Sequence, residues 1–323
     1  VTAPREAPTI SVVSPVHNEG AGLRKFLDRT VTALQSTGVT YEILLVDDGS
    51  TDDSWDQVLA AHRTIPGVQG IQLSRNFGKE SAMLAGLATA RGEAVVVMDS
   101  DLQHPPELLP QLVAAWRRGA DVVEAVKRTR TGQGLLNRAY SRLFNRTFHR
   151  LTGVNLTDAT DYRLLSRRTV NVLLQLPERT FFFRGTSTWI GFRREQIPFD
   201  VSPRVAGASR WRFRSLVRYA VNGITSFTAA PLHLVTLGAL LFGAFAVVLG
   251  AQTIWRFLQG DAVTGFPTVI LLLLIQGTLI LLGLGIVGEY LARIHDEVKR
   301  RPRFVVARST LTDVHDGADE GTP

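Results

Sequence analysis

The sequence has no cysteine and only 2 methionines among 323 residues. Disulfides and thiolate metal sites are therefore excluded, and any metal must be held by other donors. Charge is missing from two long stretches. Residues 219–255 and 262–288 contain no Lys, Arg, Asp or Glu. Each exceeds the roughly 20 apolar residues that cross a bilayer. An apolar signal-peptide core is also missing near the start, so the first domain is expected in the cytosol. Acid is scarce in the middle third, where residues 127–218 carry 19 Lys and Arg against 5 Asp and Glu. Such a surplus suits nucleic acid, an anionic membrane or phosphorylated substrates. The two uncharged stretches and the lack of a recognisable nucleic-acid module argue against nucleic acid.

The uncharged stretches flank a short link at Gln259-Gly260-Asp261 and are expected to form a transmembrane hairpin. Arg210, Arg212, Arg214 and Arg218 precede the pair; Arg293, Lys299, Arg300, Arg301 and Arg303 follow it. Basic residues on both flanks place both in the cytosol, with Arg256 close to the outer end. Gly238, Gly243 and Gly250 on the first span, and Gly277, Gly283, Gly285 and Gly288 on the second, permit close helix approach. Residues 134–151 and 211–227 read as amphipathic helices, either ordinary surface helices or helices lying on an anionic membrane surface. Residues 309–323 read as a polar, disordered tail.

The N-terminal half alternates strands and helices. Strands are expected at residues 9–16, 41–46, 68–73 and 94–98, with helices between them. That order predicts a parallel sheet covered on both faces. The last strand, Ala94-Val95-Val96-Val97-Met98, runs straight into Asp99-Ser100-Asp101-Leu102-Gln103. Both carboxylates therefore leave the core at the C-terminal edge of the sheet, where open α/β sheets bind ligands. Asp101 and Gln103 offer oxygen ligands for Mg²⁺ or Mn²⁺ against a diphosphate, and Asp99 contacts ribose or metal. Asp47 and Asp48 end the second strand and can accept hydrogen bonds from a base or ribose, or can simply form a turn and helix cap. Pro15, Asn18 and Glu19 leave the first strand at the same edge, and Lys79 can reach a phosphate.

These motifs resemble family 2 glycosyltransferases of GT-A fold. The closer resemblance is to bacterial polyprenyl-phosphate glycosyltransferases, relatives of dolichyl-phosphate mannose synthase with a C-terminal two-helix anchor. The residues that carry it are the stretches 11–19, 46–50, 74–80, 99–107, 161–164, 207–211 and 288–291. The fold implied is α/β: a Rossmann-like GT-A domain, then amphipathic juxtamembrane helices and a transmembrane hairpin. In ranges, that is a tail at 1–8, the catalytic domain at 9–210, the juxtamembrane helix at 211–228, the spans within 229–291 (about 231–256 and 265–290) and a cytosolic tail at 292–323. The resemblance implies that Asp101 and Gln103 bind metal, that Asp161 faces the reaction centre, and that Arg163 contacts phosphate. It sets Ser209 and Arg210 near the acceptor phosphate. Thr160 stands where the family usually has Gly, a side chain able to re-aim Asp161, and Asp158 is the alternative acid. His17 replaces the usual Tyr.

The reaction so implied moves a sugar from a nucleotide sugar to polyprenyl phosphate, with inversion, at the cytosolic face of the inner membrane. A UDP-linked hexose or N-acetylhexosamine is the expected donor, with GDP-mannose the alternative. The acceptor monophosphate has a second pKa of about 6 and is largely dianionic at neutral pH, so Asp161 is expected to orient more than to remove a proton. A processive polysaccharide synthase is disfavoured: Gly207 stands where such enzymes carry Gln, and two spans are too few for a polymer channel. A non-catalytic scaffold is disfavoured by the intact acids and bases. The resemblance also implies a homo-oligomer, a tetramer at first guess.

Overall fold

The computed structural model describes residues 7–127, 160–178, 181–200, 230–259 and 265–311. The expected amphipathic helices at 134–151 and 211–228, together with Asp158, Ser209 and Arg210, lie outside the described residues. The chain divides into two compact units, one formed by residues 1–149, 154–210 and 301–323, the other by 150–153 and 211–300.

The first unit is built on one eight-stranded sheet. Its strands are β1 (Ile10–Val16), β2 (Tyr41–Asp47), β3 (Val68–Leu73), β4 (Ala94–Val97), β5 (Val122–Lys127), β6 (Arg163–Ser166), β7 (Arg194–Phe199) and β8 (Val306–Ser309). They lie in the order β7-β5-β6-β4-β1-β2-β3-β8. Helices α1 (Gly20–Gln35), α2 (Ser54–Thr64), α3 (Lys79–Thr89), α4 (Leu109–Arg117), α5 (Arg167–Gln175) and α6 (Phe183–Trp189) belong to the same unit. The four central strands, β4-β1-β2-β3, are parallel. All four are sealed from water almost throughout, which is why they appear as unbroken apolar runs. One apolar cluster packs α1 and α4 on one face; the other packs α3 and α5 on the opposite face.

The sheet is mixed, not parallel throughout. β6 runs antiparallel to both β4 and β5, while β5 pairs in parallel with β7. At the other edge β8 pairs antiparallel with β3. The polar tail expected from residue 309 onward therefore begins inside the sheet. Thr310 Oγ1 accepts from the Gly70 N–H at 2.8 Å, and the Thr310 N–H donates to Gly70 O at 2.9 Å. Covering the edge of β3 removes a row of open backbone groups.

The second unit contains α7 (Ala230–Leu258) and α8 (Phe266–Val298). Windows of 22 residues (Val235–Arg256) and 27 residues (Leu272–Val298) are long and apolar enough to cross a membrane. Large side chains such as Leu240, Val247, Leu273 and Leu281 are exposed on them. Among the described residues, Gly283 alone of the seven glycines meets the partner helix: a Cβ there would come 3.0 Å from Val235 Cγ1, and nothing described lies within 4 Å at the other six.

Candidate active site

Because β4, β1, β2 and β3 are parallel, their C-terminal ends share one edge. The loops that leave there enclose a cavity of about 250 Å³. Pro15, Val16, His17 and Glu19 line it from β1, Asp48 from β2, Asn76, Gly78 and Lys79 from β3, and Asp99, Ser100 and Asp101 from β4. Six residues expected at a donor site (Pro15, Glu19, Asp48, Lys79, Asp99 and Asp101) thus meet in one place.

The loops are tied to one another by side chains. The Asp48 carboxylate accepts from the backbone N–H groups of Phe77 at 2.7 Å and Gly78 at 2.9 Å, which fixes the loop after β3 against the end of β2. Burial pushes the Asp48 carboxyl up, and those two donors oppose it. Gly49 makes this approach feasible. Its φ of +64 is left-handed, and a Cβ would meet the Arg75 carbonyl carbon at 2.5 Å. His17 Nδ1 lies 3.1 Å from Asp48 O, and its Nε2 lies 3.2 Å from Asn76 Nδ2, so it joins three loops. Asn18 is left-handed at φ 55. It accepts the Thr51 N–H at 2.9 Å, which stitches the loop after β1 to the loop after β2. Asp47 is fully buried and accepts from Ser50 N and Gln72 Nε2. It is the turn former of the two readings, and neither it nor Asn18 lines the cavity.

The Asp99-Ser100-Asp101 loop turns sharply at Leu102, a buried non-glycine residue at φ 60. That left-handed turn is strained for a branched side chain. It brings the Gln103 N–H to Asp101 Oδ1 at 3.0 Å. Gln103 does not line the cavity; its backbone supports Asp101, and its side-chain nitrogen is buried without a hydrogen-bond partner. His104, which sequence reasoning gave no role, accepts the Asp99 N–H at Nδ1 (3.1 Å) and stacks on Tyr162. Burial pushes its pKa down, so the ring is neutral and acts as a fixed acceptor. Glu19 accepts a short hydrogen bond from Ser100 Oγ. Burial, with the Asp101 and Asp99 charges behind it, raises the Glu19 carboxyl.

A four-membered ion network runs from this cavity to Asp161. Lys79 Nζ sits 2.6 Å from Asp99 Oδ1 and 2.7 Å from Asp161 Oδ2. Arg184 grips both oxygens of Asp161, with Nε at 2.6 Å and Nη2 at 2.8 Å. Burial opposes the Asp161 charge, but Arg184 and Lys79 outweigh it and hold the carboxyl well below the ordinary range. Burial likewise opposes the Lys79 charge, and Asp99 and Asp161 more than compensate, so Lys79 stays protonated. Arg184 was missed in the sequence. Its only signal is a lone cation directly after Phe181-Phe182-Phe183. Glu80 was also missed: it accepts the Phe183 N–H at 2.9 Å, and burial plus the Asp161 charge push it up to about 7.

Two more residues singled out in the sequence lie in this region. Arg163 does not line the cavity. It is fully buried, ion-paired to Glu124 at 3.1 Å, and donates to Thr160 O, Arg184 O, Ser187 Oγ and Thr188 Oγ1. Thr160 does not re-aim Asp161, because its hydroxyl turns inward to Ala125 O at 2.5 Å and accepts the Tyr162 N–H at 3.2 Å.

Residues 11–173 match the profile of Glycosyl transferase family 2. An uncharacterized glycosyltransferase of Synechocystis sp. is 38% identical over 92% of this chain and 94% of its own length. A prophage-derived bactoprenol glucosyl transferase of Shigella flexneri is 35% identical over 93% of this chain and 98% of its own. A solved mannosyltransferase of Pyrobaculum calidifontis, in complex with GDP-Man and Mn2+, aligns over 88% of each chain at 18% identity and a TM-score of 0.45. The chain belongs to glycosyl transferase family 2 and is a glycosyltransferase.

Proposed function

We propose that the chain transfers a sugar from a nucleotide sugar, a UDP-linked hexose or N-acetylhexosamine, to the phosphate of a polyprenyl phosphate. The observation that carries this reading is the acid-lined cavity at the C-terminal edge of the parallel strands, joined through Lys79 to Asp161. The bactoprenol glucosyl transferase named above supports the lipid acceptor. The acid-lined cavity suits a divalent cation and a diphosphate better than a bare anion. Its Asp99 and Asp101 carboxylates are hard oxygen donors fit for Mg²⁺ or Mn²⁺. Among the described residues no group of three or more His, Cys, Asp or Glu is arranged to hold a metal unaided. The fit is therefore to an ion whose shell the donor diphosphate completes. When bound, such an ion neutralises charge that grows on the leaving diphosphate.

The protein groups divide the remaining work. Asp48 and His17 hold the loops that wall the nucleotide. Lys79 carries a fixed positive charge between the diphosphate and Asp161. The acceptor phosphate is already dianionic, so no strong base is required. Asp161, held ionised by two cations, is a poor proton acceptor and serves to aim Lys79 and Arg184. An acceptor oxygen bonds to the anomeric carbon as the bond to the diphosphate breaks, and the configuration inverts. Helices α7 and α8 form the membrane hairpin, with the sheet unit on the cytosolic face of the plasma membrane. Equilibrium binding of UDP-hexoses and GDP-mannose with Mn²⁺ tests the donor half. Asp101→Ala is expected to weaken the preferred UDP-hexose at least about tenfold. Folded protein that binds no nucleotide sugar overturns the reading.

A further inference from the structure

The loop that walls the donor cavity has a second face. On that side, Ser74, Arg75, Asn76, Phe77 and Ser81 meet the returning C-terminal segment at Arg301, Pro302, Arg303 and Val305. Together they enclose a cavity of about 490 Å³, larger than the donor cavity. Among the described residues its lining holds three arginines and two serines and no acid. The two cavities differ in sign: four carboxylates line the first, Glu19, Asp48, Asp99 and Asp101.

The walls are built and not merely adjacent. The Ser74 N–H donates to Val305 O at 2.9 Å, closing the floor between the end of β3 and the segment that enters β8. Arg75 is seated over the Phe77 ring with its guanidinium carbon 4.4 Å from the centroid. Arg303 Nη2 donates to Leu176 O at 2.5 Å, which anchors its guanidinium at the rim. Ser81 Oγ donates to Phe77 O at 3.2 Å. A guanidinium presents five donors in a planar fork, the geometry that matches phosphate oxygens.

We propose that this cavity is a second anion site, which binds the phosphate of an acidic lipid headgroup. Phosphate is the chemistry matched by arginine forks, with the Ser74 hydroxyl beside them and no competing acid among the described lining residues. The lipid is the favoured source because Arg301, Pro302 and Arg303 follow, in sequence, almost directly on the apolar helix α8. Asn76 lines both cavities, so a phosphate on Arg75 loads the same loop that holds Lys79 in place. The site does not depend on the donor reading.

The test uses the full chain in detergent. Native mass spectrometry measures binding of phosphatidylglycerol against phosphatidylcholine. A soluble arm measures glycerol 3-phosphate by phosphorus NMR. Each arginine near an anionic surface contributes about fivefold in affinity, so Arg75→Gln with Arg301→Gln is expected to weaken phosphatidylglycerol by about 25-fold. Arg301→Gln alone, an exposed position, reads fivefold if the double variant misfolds. Arg75→Lys with Arg301→Lys is expected to keep most of the affinity, and Lys25→Gln on α1 to keep all of it. Loss confined to the glycerol 3-phosphate arm keeps the site and overturns the lipid source. Unchanged binding in both arms, or an equal loss in Lys25→Gln, overturns the site.

Discussion

Arg163→Met separates a folding residue from a ligand. The guanidinium is 0% exposed and Glu124 opposite it is 3% exposed. Methionine fills much of the volume but leaves the Glu124 carboxylate without its 3.1 Å partner. Removing one member of a buried pair costs about 3–5 kcal/mol. Arg194 at 3.7 Å and Gln196 Nε2 at 3.2 Å remain to share the charge, so the lower end, about 3 kcal/mol, is expected. For a unit of this size that lowers the melting temperature by about 6–12 °C. Adding Glu124→Gln removes the orphaned charge and restores about half of the loss. Melting of the detergent-solubilised protein, followed by tryptophan fluorescence, reads both numbers. Turnover assayed well below the transition should keep its KM for the acceptor within about twofold. An unchanged melting temperature with a tenfold rise in acceptor KM refutes the reasoning and returns Arg163 to the phosphate.

Three further outcomes follow from the site. Glu80 titrates at about 7 in the folded chain against an ordinary value of 4.5. The folded state binds that proton more tightly, so the stability is present below pH 4.5 and lost as pH rises through 7. Glu80→Gln should therefore stabilise the protein by about 1–3 kcal/mol at pH 8 and leave it unchanged near pH 4.5 in denaturant titrations. Asp161→Asn releases Lys79 and Arg184 and should lower turnover at least about 100-fold, with no new ionisation in the rate profile at neutral pH. Near-normal turnover would remove Asp161 from the reaction centre. Gly49→Ala places a Cβ at 2.5 Å from the Arg75 backbone in a left-handed turn. It should cost about 2 kcal/mol or more and weaken donor binding, because the loop carrying Lys79 must shift; unchanged donor affinity would contradict this.

The central strands were legible because a strand buried on both faces must be apolar throughout, and residues 68–73 were placed to the residue. β8 was not, since Val306-Ala307-Arg308-Ser309 has no apolar run and exists as a strand only by pairing with β3. The convergence of Glu19, Asp48 and Asp99 followed from parallel topology alone. Which acid lines the cavity and which braces a turn did not: Asp47 and Asp48 are neighbours in sequence and point to different partners. The surroundings of Arg163 were hidden for a related reason. The resemblance implies a phosphate contact for it, but the sequence does not show that its guanidinium pairs with Glu124 or that the counter-charges to Asp161 come from Lys79 and from Arg184 on α6. Such pairing depends on tertiary approach, which no local pattern records.

Transfer to a lipid phosphate is proposed to run through the Asp99 and Asp101 cavity. The most direct measurement incubates the purified protein with decaprenyl or undecaprenyl phosphate, Mg²⁺ or Mn²⁺, and a panel of UDP- and GDP-sugars, beside Asp101→Ala. Lipid products are read by mass spectrometry. A glycosyl phosphoryl polyprenol that forms only with the divalent ion and disappears in Asp101→Ala is the predicted result. Folded wild-type protein that yields no such lipid from any donor, or Asp101→Ala that yields as much as wild type, would contradict the account.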